Sequence, residues 1–205
     1  HEGIIVLPED VKPGTLAKDY YNVKDDYVLE VDLTPNRIDA ASHYGVARDL
    51  AAWLTRNGYT NPNLRRPSVD GFKSDKAEGA IEVTVENTTA CPRYCGLTVR
   101  NVKVTESPEW LRNYLSAIGQ RPINNVVDIT NFLLHAMGQP LHCFDLAKVK
   151  GGKIVVRTVA EGTKFTTLDE VERTMTDHDL MICNAEEPMC IAGVFGGLDS
   201  GVTEA

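Results

Sequence analysis

The sequence predicts an α+β fold: a mainly antiparallel β-sheet or sandwich with a few helices, preceded by a small α+β segment. Three observations carry this. The chain after residue 150 reads as strand throughout, with no helical period in it. Two upstream stretches do repeat apolar residues at helical spacing. Strands gathered in runs, instead of alternating one by one with helices, favour an α+β arrangement over a parallel α/β one.

Taken in order, Tyr27–Leu33 alternates as a strand does, and Pro35 forbids its continuation. Asn36-Arg-Ile-Asp39 supplies turn and cap chemistry for a helix expected from Asp39 to Asn57. Tyr44, Ala47, Leu50, Ala51 and Leu54 share its apolar face, and Gly58 stops it. Residues 59–79 are polar, contain two prolines and have no period. They read as a linker, which divides the chain into residues 1–58, the linker, and a domain over 80–205. Ile81, Val83 and Val85 alternate, and Leu97–Val104 looks like a second half-buried strand. Ser107-Pro108-Glu109 reads as a helix start with Ser as N-cap. Trp110, Leu111, Tyr114, Leu115 and Ile118 form its stripe, and Gly119 closes it. The β-branched run from Val126 would suit a strand, but its length and the closing Gly138 favour a buried helix to Met137. Then come Ile154–Val159, a hairpin near Leu168–Arg173, Leu180–Cys183 and Met189–Val194.

Of the 205 residues, 42% are hydrophobic and 24% charged, an ordinary balance for a globular protein. No apolar run reaches the roughly 18–20 residues that span a bilayer, so no membrane contact is expected. The formal charge of −8 argues against a broad nucleic-acid footprint, so any RNA contact is expected to be local. Five cysteines (91, 95, 143, 183 and 190) in irregular spacing, with no secretory leader, read as reduced thiols of a cytoplasmic protein. Cys91 and Cys95 lack a second pair at zinc spacing, and no metal is expected. Beginning at His1 without an initiator Met and stopping just past a glycine-rich turn, the chain reads as an excerpt from a longer polypeptide.

The chemistry concentrates in Arg121–Asp145, RPINNVVDITNFLLHAMGQPLHCFD. Polar groups set into an apolar frame are costly unless satisfied or used. Gly138 and Pro140 mark a fixed turn, which puts His142 on a stiff loop edge. His142 is therefore the leading candidate for a reactive group, with a hydrogen-bonded structural histidine as the alternative. Thr130 and Asn131 could orient an amine or a water, or could cap their own helix turn. Arg121 could meet a phosphate or carboxylate, or solvate a helix end; Asp128 and Asp145 read as structural. The second glycine cluster, Ala192-Gly-Val-Phe-Gly-Gly197, follows a strand but precedes no helix, so it fails as a phosphate cradle. Its glycines read as places where backbone approaches a ligand or another strand closely. No GxSxG, HExxH or Ser-His-Asp order is present, so hydrolysis here would use a positioned water.

With these residues assembled, the chain resembles the β subunit of bacterial phenylalanyl-tRNA synthetase. The resemblance rests on Glu30–Arg37 with Asp39, Ser42, Gly45, Ala47 and Arg48; on Cys91-Pro-Arg-Tyr94; on Arg121–Asn131 with Gly138–Asp145; and on Ile191–Gly197. Cys143 and Phe195 depart from the usual Ala and Met. The resemblance implies that residues 1–58 end the subunit's first module and that 80–205 form most of its editing domain, which hydrolyses tyrosine mischarged on the phenylalanine tRNA. It further implies that His142 positions the water or the ester end and that Thr130 and Asn131 sit by the amino group. Pro140 would shape a wall, Arg121 would guard the entrance toward the tRNA end, and Gly196 would line the aromatic slot. A glutamate on a strand beyond Ala205 would read the tyrosine hydroxyl, a position Glu204 follows too soon after the turn to fill. ATP and magnesium would belong to the catalytic α subunit, leaving no cofactor here, and the partners implied are that subunit, in an assembly of two α and two β, and the charged end of the tRNA. A non-catalytic module that packs on the α subunit or guides the tRNA end, and a free-standing aminoacyl-ester hydrolase, are the competing readings.

Overall fold

The computed structural model describes residues 3–23, 25–75 and 79–203, in two compact units, His1–Asp32 and Leu33–Ala205. The first unit holds one helical turn, α1 (Ala17–Tyr20), and an ion pair of 2.6 Å between Lys18 and Asp25. The strand expected over Tyr27–Leu33 does not form. The segment has strand composition but no ladder partner among the described residues, and Tyr27 stays 93% exposed.

In the second unit the first long helix, α2 (His43–Arg56), begins later than the expected Asp39. Residues Ile38–Ala40 make a separate 3₁₀ turn instead, and Ser42 accepts the Gly45 N–H at 2.9 Å as the N-cap. Gly45 allows this start: a Cβ there would fall 2.5 Å from the Asp39 carbonyl oxygen. Asn57 caps the C-terminus, followed by Gly58 at φ +83°. Strand β1 (Glu82–Val85) forms as expected, whereas Leu97–Val104 does not pair as a strand. Its end is clipped by a side chain: Asn125 donates to the Lys103 carbonyl at 3.0 Å and accepts from the Thr105 N–H at 3.2 Å.

Helices α3 (Glu109–Ala117) and α4 (Asn125–Met137) pack together. Ser107 is not the N-cap of α3; Pro108 occupies that place. The Ser107 hydroxyl is drawn to the carboxylate of Asp128, which has no exposed surface and also accepts the Ile123 N–H at 2.8 Å. Leu111 and Leu115 are buried, but Trp110, Tyr114 and Ile118 of the expected stripe remain largely exposed. Asn124 caps α4 by accepting from the Val126 and Val127 N–H groups, and Gly138 ends it at φ +78°. A Cβ on Gly138 would also press on the Ser42 side chain at 3.3 Å. Gly138→Ala is therefore expected to cost about 1–2 kcal/mol by thermal denaturation, mostly from the left-handed backbone; an unchanged Tm would refute that.

Five strands form the main sheet in the order β1-β2-β5-β6-β7, with β2 (Lys153–Thr158), β5 (Leu180–Cys183), β6 (Pro188–Ile191) and β7 (Phe195–Gly196). Among the described residues only β1–β2 is a parallel pair; the others are antiparallel, as the sequence predicts. The expected hairpin is present as β3 (Lys164–Thr166) and β4 (Glu172–Thr174). Its turn bridges Thr167 to Gly197, so the short edge strand β7 is covered. Ile154, Val156, Ile182, Met189 and Cys190 form the core on one side, and Phe165, Met175, Met181 and Cys183 form a second cluster. No helix among the described residues is long and apolar enough to cross a membrane.

Candidate functional site

His142 lies on the loop between the left-handed cap at Gly138 and the turn that starts at Leu146. The far end of that loop is pinned by Asp145. Its carboxylate accepts from the Ala147 N–H and from the Thr203 hydroxyl, both at 2.9 Å, which holds the acid below its usual carboxylate range. Its backbone N–H donates to the Ser200 carbonyl at 3.3 Å. Ser200 is buried and donates in turn to Met189 O at 2.8 Å. These bonds lay the GQPLHCFD loop against the glycine-rich hairpin, although 58 residues separate Asp145 from Thr203 in sequence.

The contact between loop and hairpin depends on a missing side chain. A Cβ built on Gly196 would stand 2.5 Å from His142 Cε1, 3.0 Å from His142 Nε2 and 3.0 Å from Leu168 Cδ1. Only glycine gives the imidazole this room. The ring also meets Phe144 edge to face, with centroids 4.7 Å apart. His142 keeps an exposed outer side, yet the apolar surroundings of the ring push its pKa below the ordinary 6.5, so the neutral imidazole prevails near neutrality. It has no hydrogen-bond partner among the described residues, which leaves both nitrogens open to a ligand or a water.

Leu168 closes the other side of Gly196. Its N–H donates to the Gly196 carbonyl at 3.0 Å. Thr167, fully buried, bonds to the Asp169 carboxylate and accepts Arg173 Nε at 3.0 Å. Arg173 also meets Asp169 at 2.8 Å and stands 5.9 Å over the Phe195 ring. Sequence reasoning did not single out Phe144, Thr167, Leu168 or Arg173. The Thr-x-Asp turn chemistry at 167–169 was the one signal that could have found this corner.

The other candidates are less tightly joined. The Thr130 hydroxyl donates to Val127 O at 2.7 Å, the helix-capping alternative. Asn131 is half-buried and its amide has no partner among the described residues; Arg121 is exposed and makes no ion pair there. Pro140 lies on the exposed side of the loop. No hydrogen bond, ion pair or ring contact joins Arg121, Thr130, Asn131 or Pro140 to His142, whereas Gly196 touches it directly. Asp128 and Asp145 are bonded as structural residues, in agreement with the sequence reading. Burial raises the Cys143 thiol and pushes that of Cys190 up to about 11, so neither is an activated nucleophile. No cluster of three or more His, Cys, Asp or Glu side chains able to hold a metal ion occurs among the described residues. A concavity of about 410 Å³ along Asn61–Leu64 is walled by a single loop and holds no titratable group, so it does not compete with the His142 corner as a reactive site.

Comparison with known proteins shows the family. A family model described as the B3/4 domain matches residues 90–205, more than half of the chain. The whole chain is 68% identical to the phenylalanine–tRNA ligase β subunit of Bacteroides thetaiotaomicron and 61% identical to that of Porphyromonas gingivalis, covering 25% of each. Against the Salinibacter ruber β subunit it is 48% identical over 99% of its length and 24% of the relative's. The chain thus spans about a quarter of the length of the curated relatives it matches. The resemblance drawn from the TPNR, RPINNVVDITN, GQPLHCFD and AGVFGG stretches holds along the entire chain. Because the family model matches more than half of it, a span that takes in the His142 loop and the glycine hairpin, the chain belongs to the B3/4 domain family.

Proposed function

We propose that this chain is the part of a phenylalanine–tRNA ligase β subunit that removes tyrosine from mischarged phenylalanine tRNA. The observation that carries the reading is the His142–Gly196 contact: a neutral, unpartnered imidazole beside a position with no side chain. Tyrosine is phenylalanine plus one hydroxyl, and an apolar synthetic site rejects such an addition by only about 100-fold. A second pocket that hydrogen-bonds the phenol discriminates better, because phenylalanine would leave its polar groups unpaired. In this reading His142 positions the attacking water or the ester end, and Gly196 lines the slot for the aromatic ring. The open Asn131 amide faces the amino group, with Thr130 as a hydroxyl that still has acceptor capacity. Pro140 forms a wall, and the unpaired Arg121 receives the RNA end. Activation with ATP and magnesium belongs to a partner α subunit.

The test is release of tyrosine from tyrosyl-tRNA specific for phenylalanine by the assembled synthetase, with and without His142→Ala. The substitution is expected to lower release roughly 100-fold or more, the scale of a positioned acid–base group, and to spare phenylalanine charging. Unchanged release would leave a scaffold or tRNA-guiding role. The pH profile is a second check. Since burial lowers the His142 pKa and the neutral form is required, the rate should rise with pH through an inflection below 6.5; an inflection above 6.5 would contradict a desolvated imidazole.

A further inference from the structure

We propose that Arg173 is a positioning residue that holds Leu168 against the His142 ring beside Gly196, and so fixes where the imidazole stands. This rests on the editing reading above. Leu168 has no anchoring side chain of its own, and it is 48% exposed. Its two neighbours are both held by one guanidinium: Arg173 Nε bonds to Thr167 Oγ1 at 3.0 Å and Nη2 to Asp169 Oδ2 at 2.8 Å. The same group stands over Phe195, the residue just before Gly196. Arg173 therefore ties the turn that carries Leu168 to the strand that carries Gly196. Across that strand, the Leu168 methyl and the His142 ring converge on the one point that a Gly196 Cβ would occupy.

An ion pair this exposed contributes little to stability. The arrangement has more to do with geometry, since only a rigid fork reaches both neighbours of Leu168 at once. Lysine keeps the charge but not the fork.

The experiment uses Arg173→Gln, Arg173→Lys and Asp169→Asn in the assembled synthetase for kinetics. The same variants of the 205-residue chain are examined by methyl NMR. The arginine variants are expected to lower kcat for tyrosine release roughly tenfold with KM within about twofold, the signature of a misplaced reacting group. The nuclear Overhauser contact between the Leu168 methyls and the His142 ring should weaken in parallel, with Tm nearly unchanged. Asp169→Asn, which removes one anchor and leaves the hairpin intact, should show a smaller change of the same kind. Unaltered kcat and an intact methyl–imidazole contact in all three variants would overturn the proposal. Loss of the contact in the 205-residue variants, with a wild-type synthetase that releases no tyrosine, would sink the editing reading and uphold the brace.

Discussion

Gly196→Ala is expected to stop tyrosine release while leaving the chain folded. The new methyl would meet His142 Cε1 at 2.5 Å and Leu168 Cδ1 at 3.0 Å, both of them side-chain atoms that can move. Because His142 has a solvent-facing side, it can swing away, and the cost to stability should be only about 1 kcal/mol, at the low end of overpacking. The cost to function is larger, since displacing a reacting group by about 1 Å is worth roughly 100-fold in rate. Single-turnover release of tyrosine and a thermal melt, made on the same variant, separate the two effects. Gly197→Ala is the built-in contrast. Its Cβ would strike the Met189 carbonyl oxygen at 2.7 Å and the Phe165 ring at 2.8 Å, that is, backbone and core. That variant should lose stability first. Retention of hydrolysis within about twofold in Gly196→Ala would move the reactive site away from this corner.

The second large effect is expected at Asp128. Replacing it with alanine strands the Ser107 hydroxyl and the Ile123 N–H, both of which it accepts from within a fully buried carboxylate. Hydrogen bonds to a charged acceptor are worth about 1.5–3 kcal/mol each, and the abandoned donors keep their desolvation cost, so a loss of about 2–4 kcal/mol is expected in urea denaturation. Asp128→Asn keeps an acceptor for Ile123, and the Ser107 hydroxyl can turn to accept from the new amide, so about 1 kcal/mol should be lost. A loss below about 1 kcal/mol in the alanine variant would mean that water replaces the missing oxygens.

The case of Asp128 also marks what the sequence can disclose. Ser107 before Pro108 has every local feature of a helix cap, and a local rule assigns it so. A buried carboxylate 21 residues away holds that hydroxyl more strongly than an exposed helix end would. The same reason explains the two strands that did not form. Tyr27–Leu33 and Leu97–Val104 alternate correctly, but alternation describes only a surface that fits a sheet, and a strand also requires a ladder partner. Where the end of an element is written locally, as with Gly138 closing α4, the sequence reading and the structure coincide. The site divides along the same line. His142 was visible as a histidine on a fixed turn, and Gly196 as one of a glycine cluster that the resemblance placed by the aromatic slot. Leu168 and Arg173 were not, because their importance comes from a bridge between Thr167 and Gly197 that no spacing rule encodes.

The one parallel pair in the sheet bears on how the molecule comes together in time. β1 and β2 lie side by side in register from Glu82↔Lys153 to Val85↔Val156, so everything from residue 86 to 152 must be looped out before they meet. That loop contains α3, α4 and the whole His142 turn. The β5–β6 and β3–β4 pairs join segments close in sequence and can form in microseconds, whereas closing so long a loop carries an entropic penalty that only native contacts repay. Pairing of β1 with β2 is thus expected among the later steps of folding, and the span it closes is the one that carries the His142 turn.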